Sequence, residues 1–497
     1  MSGNQSRRRA QPPELYQEKF RPQFHYSAPR NWLNDPNGLI WFNGQFHLFF
    51  QHNPTGNEWG NMHWGHVVSK DLLHWTERPL ALHADPLDLG YMFSGSVVAD
   101  QDNRSGLGSA GRVPLIALYT SCDTFGVQTQ SLAFSLDEGG TWEHYSENPV
   151  IENPGVRDFR DPKVFWHEPT RKWVMSLAVY DHVDLYHSVN LIEWTFLSRF
   201  DRQHDPKAGV YECTDLFPLR TEAGVEKWVL IVSLGPVQTR RDESVKYYVG
   251  DFDGTTFVTR QIGDLWLDHG PDCYGAVTWT GMPEQDDRRI LIGWMNNWRY
   301  ANSLPTYPWR GNMTLPRTLH LAGGREGFEL RSLPVAELAS LRQAIFRLEK
   351  CPLESDSARE LFSSLPADLL DLDLTFSWTD GCPQPFGVRF SNPTGDEATV
   401  LIDLEKLLLT VDRSRVGQRI PDLKFAECFA ARLRWPDGAM TLRIVKDRAS
   451  VEVFGDEGKA VISANLFFDA PFKTVTALGG DGVFVQGIVS TLRSVWG

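Results

Sequence analysis

The chain has 497 residues, 41% of them hydrophobic, which is enough to bury more than one core and implies two or more domains. A formal charge of −14 argues against a nucleic-acid partner, whose surface demands a basic stripe, and no stretch is long and apolar enough to span a membrane. A neutral small molecule or oligosaccharide is the better-matched substrate.

The N-terminal segment contains Arg7-Arg8-Arg9 with no apolar run after it, so no secretory leader is visible. The expected location is cytoplasmic, although a trimmed secreted chain would look the same. Six cysteines, Cys122, Cys213, Cys273, Cys351, Cys382 and Cys428, lie far apart without a C-x-x-C pair and read as reduced thiols rather than a zinc site or a disulfide scaffold. The 18 tryptophans serve mostly to pack sheets together, and some are available as platforms for sugar rings.

The first informative stretch is Trp32-Leu33-Asn34-Asp35-Pro36-Asn37-Gly38, read as a short polar turn ahead of an aromatic strand, Leu39-Ile40-Trp41-Phe42. Pro36 pushes Asp35 toward extended backbone and Asn37-Gly38 accepts positive φ, so the Asp35 carboxylate is held in one direction, as suits a nucleophile. Taken alone, the stretch reads better as an ordinary Asp-Pro-Asn-Gly turn; two further carboxylate stretches reverse that preference. Asn43-Gly44 between two aromatic runs then predicts an antiparallel hairpin. Gln51-His52-Asn53-Pro54 and the run from Trp59 to His66 are dense in groups that bind hydroxyls. His63 and His66 have no carboxylate at helical spacing, so they read as hydrogen-bonded side chains rather than metal ligands.

A weak repeat follows, in which a polar turn ends in an aromatic: Ser69 to Trp75, Ser135 to Trp142, Ser188 to Trp194, and a degraded copy from Asp251 to Phe257. The aromatics recur at roughly 50 to 70 residues, somewhat above the ~40 to 50 of four-stranded propeller blades, and strand-like runs lie between them. This predicts an all-β fold beginning with a five-bladed β-propeller over residues 20–333. Asp35, Asp161 and Glu212 each fall near the expected start of a blade, where innermost strands face the axis. Arg160 beside Asp161 would keep that carboxylate ionised if the two side chains meet, and the apolar neighbours of Glu212 would favour its protonated form. Leu338, Leu341, Ile345 and Leu348 have helical spacing and mark residues 334–350 as a connector. Alternating strands such as Leu372-Asp373-Leu374-Thr375-Phe376 and Ser450-Val451-Glu452-Val453-Phe454 predict a β-sandwich over 351–497.

The ordered set Trp32 to Gly38, Gln51-His52-Asn53-Pro54, Phe93-Ser94-Gly95-Ser96, Phe159-Arg160-Asp161-Pro162-Lys163-Val164 and Glu212-Cys213 resembles glycoside hydrolase family 32, the invertase, inulinase and levanase family. The resemblance extends to Gly293-Trp294-Met295-Asn296-Asn297-Trp298 and into the sandwich, and points to microbial exo-levanases and exo-inulinases. It implies Asp35 as nucleophile, Glu212 as acid/base and Asp161 as transition-state stabiliser. It also implies a fructosyl ring bound by Asn34, Gln51, Trp59, Phe93, Ser94, Arg160, Tyr274, Trp294 and Trp298, with neither metal nor organic cofactor. Thr214 departs from the family's pattern, which often has Pro there. The implied activity is a retaining, exo-acting β-fructosidase, for which two carboxyl groups about 5 Å apart are needed. A sialidase-like propeller hydrolase, an inverting arabinan-cleaving propeller and a non-catalytic fructan-binding protein are the competing readings.

Overall fold

The computed structural model describes residues 15–496 apart from 110, 202–208, 236–243, 325–326, 380, 382–383, 418–424, 426 and 435–437, so Cys382 lies outside the described residues. Among the described residues the other five cysteines are free thiols, and no helix is long and apolar enough to cross a membrane.

Five successive antiparallel sheets run from Asn31 to Pro334. Their innermost strands are Asn31–Phe42, Tyr91–Ala99, Phe159–His167, Tyr211–Arg220 and Tyr274–Thr278. Each inner strand packs against the next and the fifth packs against the first, which closes the ring. A parallel pairing of Trp309–Arg310 with Asn31 and Trp32 seals the closure. Second strands are wedged between neighbours on both faces. Leu115–Cys122 is accordingly buried at every position and shows no polar alternation.

The Asn43-Gly44 hairpin forms as expected, with φ of 46° and 80° joining Phe42 to its partner Gln45. The repeat marks the link between third and fourth strands. Ser69 Oγ donates to Asp71 Oδ1 at 3.0 Å, Ser135 Oγ to Asp137 Oδ1 at 2.8 Å and Ser188 Oγ to Asn190 Oδ1 at 3.0 Å, and the aromatic ends each turn.

Two expectations are corrected. Asp35-Pro36-Asn37-Gly38 is not a turn ahead of a strand; it lies inside Asn31–Phe42, whose register slips between Leu33 and Pro36 and again between Asn37 and Ile40. A strand can absorb Pro and a positive-φ Gly where its ladder is already broken by a bulge. The connector is likewise not helical beyond its first turns. Ala336–Leu341 is a short 3₁₀ segment that buries Leu338 and Leu341, after which Arg342–Pro352 is a strand paired with Val483–Leu492 at the edge of the sandwich. Ile345, which helical spacing would bury, is 60% exposed.

The sandwich stacks a six-stranded sheet, Arg342–Pro352 to Ala460–Asn465, on a five-stranded one, Cys428–Arg432 to Thr474–Leu478. Leu370, Leu372, Leu374 and Phe376 from one face meet Phe386, Val388 and Phe390 from the other, all buried. Charges hold the propeller to the sandwich. His25 is buried between Asp447 and Glu452, at 2.7 and 2.8 Å, and Arg317 bridges Glu452 and Asp268. Arg413 reaches Asp272 at 2.7 Å across the same seam. Buried ions of this kind tolerate no missing partner, which fixes the two units in one arrangement.

Candidate active site

All five inner strands break register at the same depth: at Asn34-Asp35, Phe93-Ser94, Asp161-Pro162, Cys213-Thr214 and Gly275-Ala276. A bulge re-aims side chains that a regular pleat would send into the layers between sheets. Asp161 and Cys213 take φ of 65° and 46° there. The Asp161 backbone is held in this uncommon region by its N–H bonding to Thr120 Oγ1 at 3.0 Å. Gly275, with φ of 58°, lets the fifth strand approach the first so closely that a Cβ would lie 2.9 Å from Asp35 Oδ1.

The result is a cavity of about 740 Å³ into which Asp35, Asp161 and Glu212 all project. Asp35 Oδ2 accepts a hydrogen bond from Ser94 Oγ at 2.8 Å, while its Oδ1 is buried and has no hydrogen-bond partner among the described residues. Burial and the nearby Glu212 charge push Asp35 up to about 6, against the hydrogen bonds from Ser94, Asn34 and Cys213 that favour its ionised form. Cys213 joins the two aspartates. Its N–H donates to Asp161 Oδ2 at 2.9 Å, and its Sγ lies 3.7 Å from both Asp161 Oδ2 and Asp35 Oδ2.

The Arg160 guanidinium favours the ionised form of Asp161 by its charge, but no hydrogen bond joins the two side chains among the described residues. It reaches past Asp161 to Glu212 Oε1 at 2.9 Å and Asp158 Oδ1 at 2.6 Å, and burial raises Asp161, with Glu212 and Asp35 adding to the rise against the opposing Arg160 charge. The expected apolar setting of Glu212 is also absent, because its two oxygens face Arg160 and the Tyr274 hydroxyl, which donates to Oε2.

Asn34, Gln51, Trp59, Phe93, Ser94, Arg160 and Trp298 line the cavity. Trp298 packs on Trp32 and Trp294 at ring distances of 5.9 and 4.8 Å, with Trp59 and Phe93 at the rim. Trp294, expected in the wall, is wholly buried behind Trp298 and supports it instead. Tyr274 is buried too and acts through Glu212 rather than as a lining residue. His66 stacks on Phe49 and bonds His47, and His63 bonds the Asn61 carbonyl.

Asp158, Gln128 and Phe125 also line the cavity and were not singled out by sequence. Asp158 had a signal, two residues before Arg160 and on its side of an extended segment. Gln128 had none, since its contacts to Phe159 and Arg160 join two different sheets.

Residues 25–334 match the model of the glycosyl hydrolases family 32 N-terminal domain and residues 337–491 that of the family 32 C-terminal domain. The chain is 40% identical over 489 residues to the levanase of Bacillus subtilis (strain 168), covering 97% of this chain and 72% of that protein. It is 38% identical to the extracellular exo-inulinase inuE of Aspergillus ficuum, with 97% and 96% covered. The crystal structure of exo-inulinase from Aspergillus awamori superposes with a TM-score of 0.88 at 34% identity, over 97% of this chain and all of that one. With both family models together spanning nearly the whole chain and the fold matching a solved member, this protein belongs to glycosyl hydrolase family 32.

Proposed function

We infer that the protein is a β-fructosidase that removes terminal β-D-fructofuranosyl units from fructans and sucrose, retaining the configuration at C2. The observation that supports this most is the pairing of an unpartnered, buried Asp35 Oδ1 with a Glu212 gripped by Arg160 and Tyr274 in the same cavity. Asp35 keeps one oxygen without a hydrogen-bond partner among the described residues. Glu212 is oriented by donors and sits where a leaving group would lie.

In the first displacement Glu212 gives its proton to the glycosidic oxygen as the C2–O bond breaks, and Asp35 Oδ1 forms the ester bond to C2. Glu212, now a carboxylate, takes a proton from water, whose oxygen attacks C2 and releases Asp35 with fructose. Asp161 lies across from Asp35 with Cys213 between them, positioned to hold sugar hydroxyls more tightly as oxocarbenium character develops. Trp298 and Phe93 offer faces for the ring, and Asn34, Gln51 and Ser94 offer polar groups.

Below the carboxylates the axis is plugged: Lys163 is buried, bonded to the Thr278 carbonyl and 3.4 Å from Asp215. A cavity blocked at its floor takes a chain end rather than a chain middle. Short digestion of inulin and of levan tests this. Free fructose as the sole early product is expected from both; a ladder of oligosaccharides at low conversion would mean an open, endo-acting cleft.

A further inference from the structure

At the rim of this cavity one ring has no structural role. Phe125 sits at the tip of the hairpin joining Leu115–Cys122 to Gln128–Ser135, is 92% exposed, and belongs to no apolar cluster among the described residues near it. It nevertheless lines the same cavity as the three carboxylates. A bare phenyl ring on a loop gains nothing for folding.

The turn beneath it is tightly tied. Asp123 Oδ1 accepts from the N–H groups of Phe125 and Val127, both at 2.8 Å, the Gly126 N–H donates to the Asp123 carbonyl at 3.1 Å, and the Asp123 N–H donates to the Val127 carbonyl at 3.0 Å. This is an Asx turn that presents the ring in a fixed attitude, so a ligand loses little entropy by ordering it. The position also has a direction. Gln128, at the far end of the turn, accepts from the Phe159 N–H at 2.8 Å and from Arg160 Nη1 at 3.3 Å, and Arg160 holds Glu212. The hairpin therefore stands over the Glu212 side of the cavity, whereas Trp298 rests on Trp32, beside Asn34 and Asp35.

We propose that Phe125 is a specificity-determining platform for the leaving portion of the substrate, stacking on the C–H face of a sugar ring beyond the scissile bond. The proposal rests on the fructosidase reading, in which Glu212 protonates the leaving oxygen and so places the departing sugar on its own side. It makes Phe125 a residue that distinguishes a fructoside with further sugar units from one with a small leaving group, by ground-state binding rather than by chemistry.

The test compares KM and kcat on inulin and on methyl β-D-fructofuranoside for the wild type, Phe125→Ala and Phe125→Trp. Removing one stacking platform should raise the ratio of KM on inulin to KM on the methyl fructoside about three- to tenfold in Phe125→Ala, with kcat on inulin held. Phe125→Trp, which keeps a flat ring, should restore the ratio. An unchanged ratio in Phe125→Ala, an equal rise on both substrates, or no recovery in Phe125→Trp would overturn the platform. A wild type inert on both substrates would instead overturn the fructosidase reading and take the platform with it.

Discussion

Replacing Asp35 with Asn should abolish turnover and at the same time stabilise the folded protein. Asp35 rises from the ordinary 3.8 to about 6 because burial and the Glu212 charge oppose its ionised form. A carboxyl group with a raised folded pKa contributes its full relative stability below 3.8, where both states are protonated, and loses it as pH rises through about 6. At neutral pH the ionised Asp35 therefore weakens the fold, by about 3 kcal/mol from the size of the rise. The residue borders an open cavity, and water there screens part of this, which leaves roughly 1 to 2 kcal/mol. Asn preserves the shape and the bond from Ser94 Oγ while removing the charge. Urea denaturation of both proteins at pH 7.5 and pH 4.5 is the assay, with kcat on sucrose measured alongside. The expected result is a higher midpoint for Asp35→Asn at pH 7.5, a smaller gain at pH 4.5, and turnover reduced by roughly 10⁴-fold or more. Equal midpoints at pH 7.5, or a gain independent of pH, would refute the electrostatic account of the site.

Two other perturbations probe the seam and the acid. Burial alone would lower His25, but hydrogen bonds to Asp447 and Glu452 raise it from 6.5 to about 9. Its contribution is thus full below 6.5 and lost as pH rises through about 9; urea midpoints should fall over that window by the equivalent of about 3 kcal/mol in the wild type, and His25→Gln should be less stable at pH 6 and lack the slope. Matching slopes in the two proteins would remove His25 from the clamp. Glu212→Ala should lose far more activity on sucrose than on an aryl β-fructofuranoside, whose leaving group departs with little protonation, and equal losses would count against the acid role.

Much of this protein was legible in its sequence because its signals are local. The Ser-x-Asp and Ser-x-Asn turns, the Asn43-Gly44 hairpin and the aromatic strand runs each fix a short piece of backbone, and their spacing carries the propeller. The carboxylates stood out because charged residues at the starts of buried strands are rare without a use. What failed depended on distance in the chain. Arg160 is beside Asp161 in sequence, yet its guanidinium bonds Glu212, which stands 52 residues further along the chain on the next sheet. Trp294 ends the second strand of its sheet, which is buried from Ile290 onward, and so falls behind the wall rather than in it. The Leu338 to Leu348 run fits helical spacing only until Leu341; beyond it, pairing with the chain's last strand decides the conformation. Phe125 had no signal beyond being an aromatic residue in a turn.

The claim on which the rest depends is that Asp35 and Glu212 act in two successive displacements at C2. Proton NMR followed from the first seconds of sucrose hydrolysis measures this directly, because the anomer released is visible before mutarotation. β-Fructose as the initial product, decaying to the equilibrium mixture, is the result expected from a fructosyl-enzyme on Asp35. α-Fructose as the initial product would mean a single displacement by water, and the assignment of Asp35 as nucleophile would be wrong.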